Sequence, residues 1–217
     1  ALPISAYPEL VSFQARNDAW TKAAVELGEQ AVKDALAAAG LTPQDVSHLF
    51  FVTVTGLATP SIDARLCNRL AFPADVRRTP IFGLGCVAGA AGTARMSDWL
   101  RGFEDRHAVL LAVELCSLTL QREDLSIANI IASGLFGDGA AAMVMSGDRT
   151  GAHQGPRVVA ATSAFYPNTE RVMGWDFVDT GFKVVLSAKV PEVVKAHARE
   201  DVDGFLKSQG LERKDIT

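Results

Sequence analysis

The stretch IFGLGCVAGAAG, residues Ile81 to Gly92, constrains this chain more tightly than any other. A short apolar run leads into it, and very small residues dominate from there towards Trp99. That order predicts a buried strand, a tight glycine turn and a helix whose opening turns carry almost no side chains. Cys86 stands where the turn becomes the helix, and the free backbone N–H groups and positive dipole end there favour an anionic sulfur. Gly83, Gly85 and Gly89 let backbone approach closely and leave room beside the sulfur for a bulky acyl group. On these residues alone two readings stay open: a nucleophile that accepts an acyl group, or a small unreactive cysteine packed at a helix–strand junction.

The rest of the chain has to supply a core for that junction. Of its 217 residues 48% are hydrophobic and 21% charged, which suits a globular protein holding one large domain or two small ones. The net charge of −4 and the scatter of the 21 Lys and Arg residues argue against a nucleic-acid partner. No apolar run is long enough to span a membrane, and no secretory leader is read ahead of Ala1. Cys67, Cys86 and Cys116 are odd in number and widely spaced, fitting neither a disulfide framework nor a zinc site. A reducing, cytoplasmic compartment is therefore expected, with no metal and no cofactor.

Taken in order, residues 1–17 hold Pro3, Pro8 and Asn17 and read as loop or one irregular turn. Asn17 or Asp18 then caps a helix from about Ala19 to Ala39, with Trp20, Ala24, Leu27, Ala31 and Ala38 as its inner stripe and Gly40 as its stop. Leu49 to Val54 is apolar or β-branched throughout, as a strand covered on both faces requires. Ser61 opens a helix that stacks Ile62, Leu66 and Leu70, and the Cys86 helix ends near Gly102. Ala108 to Leu115 and Ala140 to Met145 read as strands on either side of a short helix, Leu125 to Ser133, and the turn-rich Gly134 to Gly139. Gly147 to Pro156 is a polar surface link; strands are expected near Val158–Phe165 and Phe182–Leu186, then a helix from Pro191 to Gln209. Alternating helices and wholly apolar strands give the α/β class.

One pattern occurs twice. Val32, Leu36, Gly40-Leu41 and Asp45-Val46 recur 170 positions later as Val202, Leu206, Gly210-Leu211 and Asp215-Ile216. The shared offset across helix, stop and polar turn favours duplication of a unit over chance likeness between two amphipathic helices.

Three segments together carry a resemblance: GLGCVAGA from Gly83, VELCSLT from Val113, and GLFGDGAAA from Gly134, with GLATP from Gly56 ahead of them. They resemble the type III polyketide synthases, the chalcone-synthase-like branch of the thiolase superfamily, over nearly the whole chain from about Trp20. Phe-Gly-Asp-Gly alone is shared with ketoacyl-ACP synthase III enzymes, whereas the Cys-Val-Ala-Gly and Glu-Leu-Cys-Ser contexts are more specific. The resemblance implies a thiolase-like layered αβαβα architecture, with residues 1–150 forming the first half and 151–217 the start of the second. It implies iterative decarboxylative Claisen condensation of malonyl-CoA onto an acyl-CoA starter, without a carrier protein. By the same resemblance Cys86 is the nucleophile and Phe136 stands between the coenzyme A tunnel and the reaction cavity. Cys116, Thr119 and Val184 line that cavity, and Thr59 crosses a two-fold homodimer interface into its neighbour's. Read without the family, Phe136 is a core aromatic, Cys116 packs a strand end and Asp138 between glycines forms a turn.

The chain departs from the family in one large respect: no segment matches the motifs that carry the family's catalytic histidine and asparagine. His48, His107, His153 and His197 offer no substitute, and read as solvated or locally satisfied imidazoles. The basic N-terminal residues that hold coenzyme A phosphates in the family are also without a match, so the chain reads as an internal portion of a longer enzyme. Two rivals remain, a ketoacyl-ACP synthase III-like enzyme making one condensation and a non-catalytic fragment acting as a packing unit. The Thr59-Pro60 bond is expected in a dimer contact and in the cis form. If the unit is duplicated, adding 170 to the loop opened by Gly56 puts its counterpart near position 226, and that loop is expected to face the start of the Cys86 helix. A histidine within a few residues of that position, followed by Pro or Gly, is expected in a longer reading frame. Sequencing the gene checks this, and a frame without it breaks both the repeat and the polyketide reading.

Overall fold

The computed structural model describes residues 4–151 and 155–216, so His153 lies outside the described residues. A four-stranded sheet carries the first part of the chain. β1 (Val46–Thr53) lies between β2 (Arg77–Phe82) and β3 (His107–Leu115), parallel to both, and β4 (Asp138–Ser146) closes the other edge antiparallel to β3. Apolar residues run continuously along β1 and β3 because both faces are covered. Leu49, Phe51, Val109 and Leu111 meet Trp20, Ala24, Val32 and Leu36 of α1 (Phe13–Ala38) and Ile62 and Leu66 of α2 (Ile62–Arg69). Phe50, Val52, Ala108 and Leu110 meet Ala88, Met96 and Leu100 of α3 (Ala88–Gly102) on the opposite face. The result is an α–β–α sandwich, one half of the layered architecture expected. Beyond it, α4 (Ile127–Leu135) precedes β4, and β5 (Met173–Val178) and β6 (Gly181–Leu186) form an antiparallel hairpin before α5 (Val190–Ser208).

Several boundaries differ from expectation, each for a local reason. α1 begins at Phe13 because Ser12 is extended and its hydroxyl accepts from the Ala15 N–H at 3.1 Å. Asn17 is not a cap. Its side-chain amide donates to Leu57 O and accepts from Leu57 N–H, both at 2.8 Å, and so seats the loop after β1. The inner stripe of α1 runs through Trp20, Ala24, Val25, Gly28, Val32 and Leu36; Leu27 and Ala31 are half-buried and Ala38 is exposed. β2 is an edge strand and largely exposed, not buried. Val158–Phe165 forms no strand: it pairs with nothing in a ladder, and Val159 and Phe165 are exposed. β5, absent from the expectation, takes its place as the partner of β6.

The repeated pattern is a repeated structure. At both helix ends a glycine adopts a left-handed conformation, φ +67° at Gly40 and +70° at Gly210. The next N–H returns to the helix at 2.9 Å, from Leu41 to Leu36 O and from Leu211 to Leu206 O. The turns that follow are closed alike, Asp45 accepting from the Thr42 N–H and Asp215 from the Glu212 N–H at 2.8 Å.

His48 sits at the start of β1, stacked 4.0 Å from Phe50, edge-on to Trp99, and hydrogen-bonded through Nε2 to Thr79 Oγ1 at 2.8 Å. Burial, with Arg77 nearby, pushes its imidazole down to about 4. The unfolded chain takes up this proton below about 6.5 while the folded chain refuses it. The contribution is therefore complete above about pH 6.5 and is lost as pH falls towards 4, by about 3 kcal/mol in total. His48→Phe should flatten the fall of the melting temperature between pH 7 and 4.5, measured by thermal denaturation of both proteins.

Candidate active site

The ends of the parallel strands converge on one edge of the sheet, and β2 leads there to the nucleophile turn. Phe82 is followed by Gly83 and Gly85, at φ +93° and +58°, then by a 3-10 turn, Gly85–Val87, that runs into α3. The glycines are required by conformation rather than by crowding, since a Cβ at Gly83, Gly85 or Gly89 would meet nothing within 4 Å. The close backbone approach expected there is not observed; the open space beside the sulfur is. Cys86 is exposed.

β3 ends one strand away, and its last residues form a second turn, Cys116–Thr119. Asp138 at the start of β4 grips this turn. Its carboxylate accepts from the Ser117 N–H at 2.8 Å and the Ser117 hydroxyl at 2.6 Å, and the Tyr7 hydroxyl reaches the same Ser117 oxygen at 2.6 Å. Thr119 is buried and donates to Cys116 O at 2.7 Å. Glu114, half-buried, ties β3 to the end of β1: Oε2 accepts from Thr55 Oγ1 at 2.7 Å and Val54 N–H at 3.1 Å, and Thr55 Oγ1 accepts from Leu115 N–H at 2.9 Å. Burial raises the Glu114 carboxyl above the usual range, against the pull of those donors. Cys116 is half-buried and near Cys86. Burial first, then Glu114, Asp138 and the Cys86 sulfur, push its thiol up to about 11.

An aromatic row connects the nucleophile strand with α4. Phe82 lies 6.4 Å from Phe177, Phe177 5.1 Å from Phe182, Phe182 6.1 Å from Trp175, and Trp175 6.2 Å edge-on from Phe136. Phe136 is half-buried at the end of α4, and Val184 is buried on β6 directly opposite Trp175. Gln121 fixes the hairpin from beneath, donating to Phe182 O at 3.1 Å and accepting from Thr180 Oγ1 at 2.6 Å. The structure thus brings Cys86 near Cys116, in the same turn as Thr119, and Phe136 to Trp175 and Val184. Thr59 stands apart, exposed on the loop after β1, and the Thr59–Pro60 peptide is cis as expected. Sequence reasoning missed Trp175, Glu114 and the grip of Asp138. The alternation of Met173, Trp175 and Phe177, and a lone charge in an apolar strand at Glu114, are the signals that could have found two of them.

His48 and His107 start strands and so lie at the opposite end of the sheet; His107 Nδ1 meets Ser146 Oγ at 2.7 Å, and His197 stacks on Tyr166. Among the described residues no cluster of His, Cys, Asp and Glu could hold a metal ion, and no helix is long and apolar enough to cross a membrane.

An exposed thiol at a glycine turn, with the Cys116 turn near it and an aromatic row running from Phe82 to Phe136, marks an α/β protein that presents a cysteine at the ends of its parallel strands. Residues 4–149 match the N-terminal domain of the chalcone and stilbene synthases, and the chain belongs to that family. It is 49% identical over 218 residues to the 1,3,6,8-tetrahydroxynaphthalene synthase of Streptomyces peucetius subsp. caesius, covering 100% of this chain and 58% of the relative. It is 36% identical over 225 residues to a putative chalcone synthase of Bacillus subtilis strain 168, covering 99% and 62%. The crystal structure of the 1,3,6,8-tetrahydroxynaphthalene synthase of Streptomyces coelicolor A3(2), a bacterial type III polyketide synthase, superposes with a TM-score of 0.86 at 32% identity, over 94% of this chain and 58% of that one. The fold is therefore the thiolase-like one expected, and the chain spans less than two thirds of the length of these relatives.

Alkylation separates the three thiols. Cys67 and Cys116 are half-buried and both pushed up to about 11, Cys67 by burial and then Asp63, while Cys86 is exposed. Since the thiolate is the reactive form, limiting iodoacetamide should label Cys86 first. Peptide mapping by mass spectrometry reads the order; prior labelling of Cys67 or Cys116 refutes the assignment.

Proposed function

We propose that this chain is the nucleophile-bearing part of a type III polyketide synthase that extends an acyl-CoA starter with malonyl-CoA. The Cys86 sulfur attacks the starter's thioester carbonyl, a new S–C bond forms and coenzyme A leaves as its thiolate. Malonyl-CoA loses carbon dioxide beside the apolar face of Phe136, where water is excluded from the carboxylate. The resulting carbanion attacks the Cys86 thioester, releasing the sulfur for another round and leaving a chain two carbons longer on coenzyme A. Cys116, Thr119 and Val184 line the space in which the chain grows. The histidine and asparagine that assist these steps belong to the downstream segment, and the division of the two halves falls near residue 150.

We take the enzyme to be a cytoplasmic homodimer in which Thr59 reaches the neighbouring cavity. Exposure of Thr59, the open edge of β2 and the bare apolar residues of α4, Ile127, Ile130 and Leu135, favour this. The observation that carries the whole reading is the exposed Cys86 at the Gly83–Val87 turn, with the aromatic row running from Phe82 to Phe136. The 49% identity to a tetrahydroxynaphthalene synthase favours a polyhydroxylated aromatic product.

The full-length enzyme, given acyl-CoA and malonyl-CoA without carrier protein, should release pyrones or aromatic polyketides detectable by liquid chromatography and mass spectrometry. Cys86→Ala should abolish them, and Phe136→Ala should lower turnover by about 10-fold or more. Product formation only on addition of acyl carrier protein would assign the chain to the single-condensation class instead.

A further inference from the structure

A second thiol beside the nucleophile creates a chemical problem. Transfer of an acyl group from one cysteine to another exchanges one thioester for another, with almost no change in free energy. Attack by the Cys116 sulfur on a Cys86 thioester would form one S–C bond, break the other and free the Cys86 sulfur, parking the chain away from the site of extension. The rate of that exchange rises with the fraction of Cys116 present as thiolate.

The two turns place acid where it would limit this supply. Asp138 is the register partner of Leu115, and both its oxygens are fixed on Ser117, so its carboxylate is held against the residues on either side of Cys116. Glu114 stands two residues before Cys116, fixed by Thr55 and the Val54 N–H. The charged and titratable groups that act on the Cys116 sulfur are these two carboxylates and Cys86, and all three oppose its ionisation. Cys86, by contrast, is exposed on the nucleophile turn. We propose that Asp138 and Glu114 form an acidic collar that suppresses the nucleophilicity of Cys116, so that acyl groups load and remain on Cys86. Asp138 is thus more than the turn former its glycine neighbours suggest; it is a positioning residue acting on the second cavity thiol. The benefit to the reaction rests on Cys86 being the acyl acceptor, whereas the collar itself can be tested apart from that.

Asp138→Asn removes the charge and keeps the grip. The amide oxygen accepts from the Ser117 N–H, and the amide nitrogen donates to the Ser117 hydroxyl, which then turns its proton to Tyr7. In iodoacetamide time courses near pH 8 the sulfur attacks carbon and iodide leaves, and mass mapping follows Cys116 with Cys86 as internal reference. D138N should alkylate Cys116 about 10-fold faster, the increase in thiolate that one pH unit of easier ionisation gives, with its pH–rate profile moved to lower pH. Glu114→Gln should do the same in at least equal measure, since Glu114 opposes the Cys116 thiolate more strongly than Asp138 does. In the unmutated full-length protein, salt near 1 M should speed alkylation of Cys116 by screening the carboxylates, which burial alone would not do. Acyl-CoA loading should give one adduct, on Cys86, in the parent and a second, on Cys116, in D138N. Unchanged Cys116 alkylation in the folded variants, or in the parent on adding salt, overturns the collar. Loading of the parent on a cysteine other than Cys86 overturns the proposed nucleophile and leaves the alkylation result standing.

Discussion

The burial of β1 on both faces is the constraint on which the rest depends. Among the described residues β1 is the one strand with parallel neighbours on each side, and its alternate residues, Leu49 and Phe51 against Phe50 and Val52, fill both cores at once. A slip of one residue would exchange those sets between two layers of different depth, so the register is fixed by packing. With the register fixed, β1, β2 and β3 all finish at one end of the sheet, which places Gly83–Val87, Cys116–Thr119 and the residues after β1, Val54 and Thr55, at that end, while Thr59 stands apart. The sheet positions chemistry it does not itself perform.

Strand ends alone leave loops free to wander, and here polar groups hold them. Glu114 stitches the end of β1 to the end of β3, Asp138 fastens the Cys116 turn to β4, and Asn17 pins Leu57 to α1. Each carboxylate accepts from two or more donors, which at the half-buried Glu114 offsets part of the cost of burying charge. Asp138 is two residues from Phe136 and grips the neighbour of Cys116, so one side chain ties the start of β4 to the Cys116 turn. The aromatic row then links α4 to the hairpin, with Trp175 between Phe136 and Val184.

What is legible in the sequence is what local chemistry decides. Glycines at 83 and 85 between an apolar run and a chain of small residues can only be a turn into a helix, and the buried strands announce themselves by unbroken apolar character. The helix stop at Gly40 is equally plain. What escapes is whatever depends on distant partners. Ser12 and Asn17 are both good caps by composition, and only the contact of Asn17 with Leu57, 40 residues away, decides between them. Val158–Phe165 is as β-prone as β6, yet a strand needs a ladder and this segment has none. Glu114 meets Thr55 across 59 residues and Asp138 meets Ser117 across 21, so their spacing in sequence carries no hint of the pairing. The geometry around Cys86 was therefore within reach of sequence reasoning, while the carboxylates that shape the neighbouring turn were not.

The repeated cap gives the fold its last piece of internal logic. A glycine stop with a return hydrogen bond is common at helix ends and by itself proves no kinship. Here, though, the stop is followed both times by a short turn whose closing aspartate accepts the opening N–H, and by a residue of matching backbone conformation. Val46 lies at φ −90° and ψ +122°, and Ile216 at φ −95° and ψ +120°. In the first copy that residue opens β1, the strand that sets the register of the site. At Ile216 the backbone is extended in the same way. On the other face of the sheet, α3 opens with a run of small residues where the nucleophile turn enters it. Gly89, Ala90 and Ala91 leave the start of that helix nearly smooth, and a smooth helix beside a reactive sulfur is a surface that another backbone can approach closely.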